Sequence, residues 1–367
     1  MSKEEQVFEE KRVNETLVAS IRFVGGRDEI AANIEELRSL AGPSVAGPPL
    51  SRVRGRAPDG GFDIEVSLPV SEPVEADGVT CETLPGGEML CAVHRGPYGP
   101  PGAEGSIAKT WGRLANYMAE RAIGWAEAPA REVYLEGPLE HGDDAGRYVT
   151  EIQAPLLLPL WLERLAEGLD RYADETVRKS VLEGGESIGP LSDPDARLAW
   201  TKRVLDRIDS LVEDPDTRRK ILLGCAHRYP PDRIAKLRKE YERLGSVEEL
   251  LKFMEESPVW DGGPFYREPG REPNVVLIDK NMADPEAYEK AADDLERRVA
   301  SCFCPVVRHA IRAGVELSPT YCNCATGWFV QVWEGILGKP VRVEIEESVL
   351  AGDDRCKFAI YLPTEDD

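Results

Sequence analysis

Apolar and polar residues change places in two successive runs in VFEEKRVNETLVASIRFVGG (7–26), which predicts one long or broken strand. The period then lengthens. In RDEIAANIEELRSLAG, Ile30, Ile34 and Leu37 recur at spacings of four and three, the stripe of an amphipathic helix. SRVRGRAPDGG and FDIEVSLPV return to alternation and read as a hairpin closed by Asp59-Gly60-Gly61. The same order recurs over 80–156. VTCETLPGGEMLCAVHRGPYG is extended, and EGSIAKTWGRLANYMAERAI is helical, with Ile107, Trp111, Leu114 and Met118 on one stripe. REVYLEGP and GRYVTEIQAPL close the second unit. FDIEVSLPV aligns with YVTEIQAPL, which sets Glu65 opposite Glu151 and Pro69 opposite Pro155. The pattern predicts βαββ twice, by duplication or by chance likeness of two α+β segments. Two such units form a sheet with helices behind it and a concave groove in front, a natural small-molecule site.

Within REVYLE, Val133 and Leu135 share one strand face, and Glu132, Tyr134 and Glu136 share the other. That second face is either wet or the lining of the groove. A carboxylate between apolar walls has a raised pKa unless a cation is near. A unit charge ~4 Å away is worth roughly 4 kcal/mol at an effective dielectric of ~20, enough to select a cationic ligand over a neutral isostere. The same carboxylate would suit general acid/base work. Tyr98 and Trp111 are further candidate ligand platforms, with core packing as the alternative for Trp111. His94 is either catalytic or a hydrogen-bonding turn residue. Cys81 and Cys91 read as buried small hydrophobes.

Beyond PLLLPLWL (155–162) the pattern turns helical, with Gly/Pro/Ser breaks at EGGESIGPLSDP and at 257–274. ADPEAYEKAADDLERRVAS predicts one helix capped by Asp284 with Pro285 at its first position. TGWFVQVWEGILGKP predicts another, and VRVEIEESVLAGDDRCKFAIYLP a terminal β-hairpin. The fold class expected is α+β, with a duplicated βαββ domain at 1–157, a helical segment at 158–256 and a Cys-rich α+β domain at 257–367.

Composition narrows the function. The chain has 367 residues, 42% hydrophobic, enough for ordinary packed cores. A net charge of -22, with no basic helix-turn-helix pattern, argues against direct nucleic-acid binding. MSKEEQVFEEKR lacks the apolar stretch of a secretory signal, and no apolar run approaches the ~18 residues of a membrane span. A cytoplasmic protein without a membrane partner is expected, its 8 cysteines reduced. No P-loop or dinucleotide fingerprint occurs. The sequence leaves the oligomeric state open.

The motifs HRGPYG (94–99), the helix with Trp111, REVYL and TEIQAP (150–155) together resemble the GyrI-like domain, over roughly 5–157. That is also the effector-binding domain of multidrug-responsive regulators. The resemblance implies a hydrophobic cavity with a buried acid, mapped here to Glu132. It further implies binding of lipophilic, often cationic compounds, for sensing or sequestration. Some relatives are instead hydrolases of cyclopropane-bearing toxins. In that alternative Glu132 activates water and Tyr134 orients it or protonates the leaving atom. Whether this chain turns a ligand over is open at this level. The ligand-binding candidates are Glu132, Tyr134, Glu136, Trp111 and Tyr98.

Five cysteines gather near the C-terminus: Cys302 and Cys304, Cys322 and Cys324, and Cys356. The two C-x-C pairs offer four thiolates to a Zn ion or, as the second choice, an iron–sulfur cluster. Residues i and i+2 of regular elements point apart, so irregular backbone is required. Cys225 and His227 stand as possible additional ligands. The alternatives are a thiol-dependent enzyme and simple buried packing. The ending, with Gly352, Asp353, Cys356 and Phe358, resembles 4-vinyl-reductase-type small-molecule-binding domains over roughly 275–362. SVLA stands where that family often carries another Cys, which puts a transferred metal site in doubt.

Overall fold

The computed structural model describes residues 7–56, 61–99, 105–126, 129–257 and 259–363. The chain divides into two compact units, residues 1–120 with 128–157, and residues 121–127 with 158–367. The expected Asp59-Gly60 turn lies outside the described residues.

The first unit contains β1 (Phe8–Val13), β2 (Thr16–Gly25), α1 (Ile30–Ala41), β3 (Leu50–Arg56), β4 (Phe62–Pro69), β5 (Thr80–Leu84), β6 (Gly87–Arg95), α2 (Ile107–Glu120), β7 (Arg131–Glu136), α3 (Pro138–His141) and β8 (Val149–Pro155). Its strands form one eight-stranded sheet in the order β1-β6-β8-β7-β3-β4-β2-β5. The two βαββ units are therefore β2-α1-β3-β4 and β6-α2-β7-β8, joined by the β3–β7 seam. Both long extended stretches are broken, and each leading piece crosses to the other copy: β1 pairs with β6, and β5 pairs with β2. The two breaks touch. A Cβ on Gly86 would lie 2.5 Å from the Val13 carbonyl oxygen and 2.7 Å from the Glu15 nitrogen, so only glycine lets them pass.

Both helices cover the same sheet face. Ile30 and Ile34 of α1 pack with Ile64, Val66 and Tyr134. Leu37 and Ala41 pack with Ala19, Leu68 and Val70. On α2, Ile107, Thr110, Leu114 and Met118 are buried. The opposite face is apolar at Val18, Leu50, Leu84 and Val133. It also carries buried Glu65, paired with Arg52 and Arg54, and Glu151, paired with Lys11 at 2.5 Å.

The second unit runs α4 (Leu157–Tyr172), α5 (Glu175–Leu182), α6 (Pro194–Leu211), α7 (Pro215–Leu223), α8 (Pro231–Leu244), α9 (Val247–Glu256), β9 (Phe265–Tyr266), β10 (Val275–Asp279), α10 (Pro285–Lys290), α11 (Asp294–Ser301), α12 (Pro305–Ala313), α13 (Asn323–Leu337), β11 (Arg342–Glu347) and β12 (Lys357–Tyr361). Its four strands order as β11-β12-β10-β9. One core joins Leu237 of α8, Leu250 and Met254 of α9, Phe329 and Trp333 of α13, and Phe358 and Ile360 of β12. The single helix expected from Asp284 is two helices. Asp293 accepts from the Glu296 backbone N–H, and Glu296 reaches back to the Ala292 N–H, so a second cap interrupts the run. Among the described residues no helix is long and apolar enough to cross a membrane.

The breaks and helices give a paired expectation. Gly86→Ala should destabilise the first unit by about 1–3 kcal/mol through the backbone clash. Gly112→Ala in α2, where a Cβ meets nothing within 4 Å, should be neutral or stabilising by up to about 1 kcal/mol. Chemical denaturation of the two variants separates them, and equal effects would contradict the close crossing of the breaks.

Candidate functional site

Glu132 lies on β7, directly opposite Ser51 of β3 across the central seam. It is 3% exposed. Its side chain points to the face that α1 and α2 cover, not to an open groove in front of the sheet as the sequence reading expected. The pattern misled because both faces of β7 are covered: Val133 packs on the far side with Leu50 and Leu84.

The carboxylate is fully engaged. Arg27, in the turn between β2 and α1, donates from Nη1 to Oε2 at 2.5 Å and from Nη2 to Oε1 at 2.7 Å. Such a fork-to-fork pair is the strongest form of charged hydrogen bond. Trp111 of α2 donates its indole N–H to Oε1 at 2.6 Å. The Tyr134 hydroxyl donates to Oε2 at 3.3 Å, and the Ser51 hydroxyl stands 2.6 Å behind it as its donor. Burial works against the Arg27 charge, but the hydrogen bonds and charge of Glu132 prevail and raise its pKa. Burial also pushes the Tyr134 hydroxyl well above its ordinary value, with the Glu132 charge adding to it. Tyr98 stacks edge-on against Tyr134 with ring centroids 5.7 Å apart. Its hydroxyl meets Thr150 Oγ1 at 3.1 Å, and burial pushes it up to about 12.

Of the ligand-binding candidates, the structure brings together Glu132, Tyr134, Trp111 and Tyr98. It does not bring Glu136. A bulge between Tyr134 and Glu136 breaks the alternation, so Leu135 is exposed and Glu136 turns outward to pair with His141 at 2.6 Å. Arg27 and Ser51 were not legible as site residues. Arg27 sits in a Gly-Gly-Arg strand-to-helix turn, the counterpart of the turn that carries Tyr98 in the second copy. That correspondence was the available signal. His94 is buried near the end of β6, in the strand rather than in the expected turn. Its Nε2 lies 3.1 Å from the Pro97 carbonyl and its Nδ1 2.9 Å from Thr110 Oγ1, a structural role. Cys91 is buried as expected, whereas Cys81 is exposed. A groove of about 540 Å³ near His94, Lys109 and Arg113 does not include Glu132 among its lining residues.

In the second unit, Cys302, Cys304, Cys322, Cys324 and Cys356 all line one cavity of about 60 Å³, with Lys280 beside them. Burial raises the pKa of all five thiols, Cys322 to about 12. Among the described residues no three His, Cys, Asp or Glu side chains are arranged to hold a metal ion. The four cysteines expected as ligands thus share a cavity without a preformed coordination geometry. Cys225 is buried elsewhere, its sulfur 3.9 Å from the Trp161 carbonyl, and neither it nor His227 lines the cavity.

A duplicated βαββ sheet that shelters one aromatic-framed acid has the build of a small-molecule-binding domain. Residues 6–157 match the family described as GyrI-like small molecule binding domain. The C-terminal domain of EcmrR is 18% identical, with a TM-score of 0.35 and coverage of 41% of this chain and 97% of that one. In the EcmrR–DNA complex the identity and TM-score are the same, and the match spans 57% of the EcmrR chain. SAV2435 bound to tetraphenylphosphonium is 17% identical with a TM-score of 0.29, covering 41% and 93%. No curated protein matches the chain.

The ion pair predicts an asymmetric response. Arg27→Gln strands a buried carboxylate, whereas Glu132→Gln leaves an arginine whose side chain is already 35% exposed and can turn to water. Arg27→Gln should cost about 1–3 kcal/mol of stability, less than a fully buried pair would. Adding Glu132→Gln should restore part of it. Strictly additive losses in denaturation experiments would contradict the pairing.

Proposed function

We propose that the N-terminal unit binds lipophilic cations at Glu132, and that Arg27 is the internal cation they displace. The observation that carries this reading is a buried carboxylate whose counter-ion sits on a short turn with a third of its side chain in solvent. An incoming cation that replaces the guanidinium keeps the carboxylate paired. A neutral molecule of the same shape would leave it buried and uncompensated, a cost of several kcal/mol. Trp111, Tyr98 and Tyr134 supply the aromatic surface that favours a desolvated cation. The unit then serves as a sensor or a sequestering module for hydrophobic cationic compounds. The hydrolytic alternative is disfavoured by the same contacts. Both oxygens of Glu132 already accept hydrogen bonds, so the carboxylate is not poised to activate water.

Tetraphenylphosphonium added to the full chain, followed by calorimetry, tests the reading. Binding should weaken on the order of tenfold or more in Glu132→Gln, which corresponds to at least ~1.4 kcal/mol. It should strengthen in Arg27→Gln, because the competing cation is gone. Neutral triphenylphosphine oxide should bind more weakly than the cation to the wild-type chain. Undiminished cation binding by Glu132→Gln would sink the proposal.

A further inference from the structure

The second unit gathers five cysteines at one cavity, and the N-terminal site makes no use of them. Five thiols from three separate stretches, residues 302–304, 322–324 and 356, reach one cavity. A volume of about 60 Å³ is far below the roughly 300–1,000 Å³ of a site for an organic ligand. It is ample for an ion. Thiolates are the soft ligands that zinc and its congeners select.

Burial opposes negative charge on these sulfurs, and local donors offset part of that cost. Cys304 is the N-cap of α12, Cys322 is the N-cap of α13, and Cys324 follows within the first turn of α13. Each helix N-terminus carries roughly half a positive charge and free backbone N–H groups. The Ser348 hydroxyl donates to Cys322 Sγ at 3.4 Å, and the Val349 backbone N–H donates to Cys356 Sγ at 3.5 Å. Donors of this kind around sulfur are the outer shell of thiolate metal centres. Lys280 lies beside the thiols, its ammonium 4.9 Å from the Phe303 ring. Four thiolates on a divalent ion leave two negative charges. Lys280 and the two helix N-termini together offset about that much. The irregular backbone that C-x-C spacing requires is present at residues 302–304, which link α11 to α12, whereas Cys322 and Cys324 lie on helical backbone where a 3-10 turn runs into α13.

We propose that this cavity takes up one thiophilic divalent metal ion, held by Cys304, Cys322, Cys324 and Cys356. Cys302 stands behind them, its S–H directed at the Cys304 carbonyl at 3.9 Å. Each ligating thiol passes its proton to solvent as its bond to the metal forms, and no electron is transferred. The sulfurs line one cavity without a preformed coordination geometry, so uptake requires them to converge on the ion.

The test uses the full chain, reduced and stripped of metal with a chelator, then titrated with Cd²⁺ under anaerobic conditions. The expected result is a thiolate-to-metal charge-transfer band that saturates at one ion per chain, with the ligating thiols protected from a thiol reagent. Cys322→Ser and Cys356→Ser should each lose the band, while Cys302→Ser and Cys81→Ser, the latter in the other unit, keep it. Circular dichroism checks that each variant is folded. If a variant misfolds, protection of cysteines in the wild-type chain, mapped by mass spectrometry, decides the matter. A band retained in folded Cys322→Ser and Cys356→Ser, protection confined to other cysteines, or a brown iron–sulfur chromophore in the untreated protein would overturn the proposal.

Discussion

Glu132 is almost wholly buried, and both of its oxygens accept hydrogen bonds from other side chains. A guanidinium reaches it from the turn before α1, an indole from α2, and a phenol from its own strand. Burying a carboxylate is tolerable only when charge and lone pairs are met in this way. The interaction therefore ties the turn before α1, the Trp111 face of α2 and Tyr134 of β7 to one point. It also fixes what an incoming group must bring if it is to take the place of Arg27.

The duplication makes the asymmetry of this site visible. Ser51 faces Val66 on β4, as Glu132 faces Ile152 on β8, so the serine is the counterpart of the acid. Both β3 and β7 carry a bulge at the matching place, after Val53 and after Tyr134. Counting from the first buried isoleucine of each helix, Ile34 stands where α2 has Trp111. One copy thus supplies the acid and its indole donor, and the other supplies the cation and a small hydroxyl. Two identical copies would have placed two like charges across the β3–β7 seam, a destabilising arrangement.

Much of the fold was legible in the residues. The shift from alternation to four-and-three spacing marked α1 and α2, and the pairing of FDIEVSLPV with YVTEIQAPL marked the repeat. Glu132 could be singled out because an acid at that point of REVYL fits the motif. Its partner could not. Arg27 reads as one of many charged residues at a helix start, and only the chain's return to the centre brings it within reach. The bulge that expels Glu136 is a register shift against β8, which REVYLE alone does not reveal. The cysteines show the converse: their grouping, Cys356 included, was plain in the sequence, while the shared cavity and the N-cap positions of Cys304 and Cys322 came only from the fold.

Under the proposed function, the Glu132 carboxylate is held by Arg27 until a lipophilic cation takes the place of the guanidinium. Nuclear magnetic resonance of the Arg27 guanidinium in ¹⁵N-labelled protein reads this directly. In the free chain its N–H signals should be slowly exchanging and shifted by the carboxylate, and saturation with a lipophilic cation should move them to the positions of solvated arginine. Guanidinium signals that stay unchanged while the cation binds would contradict it.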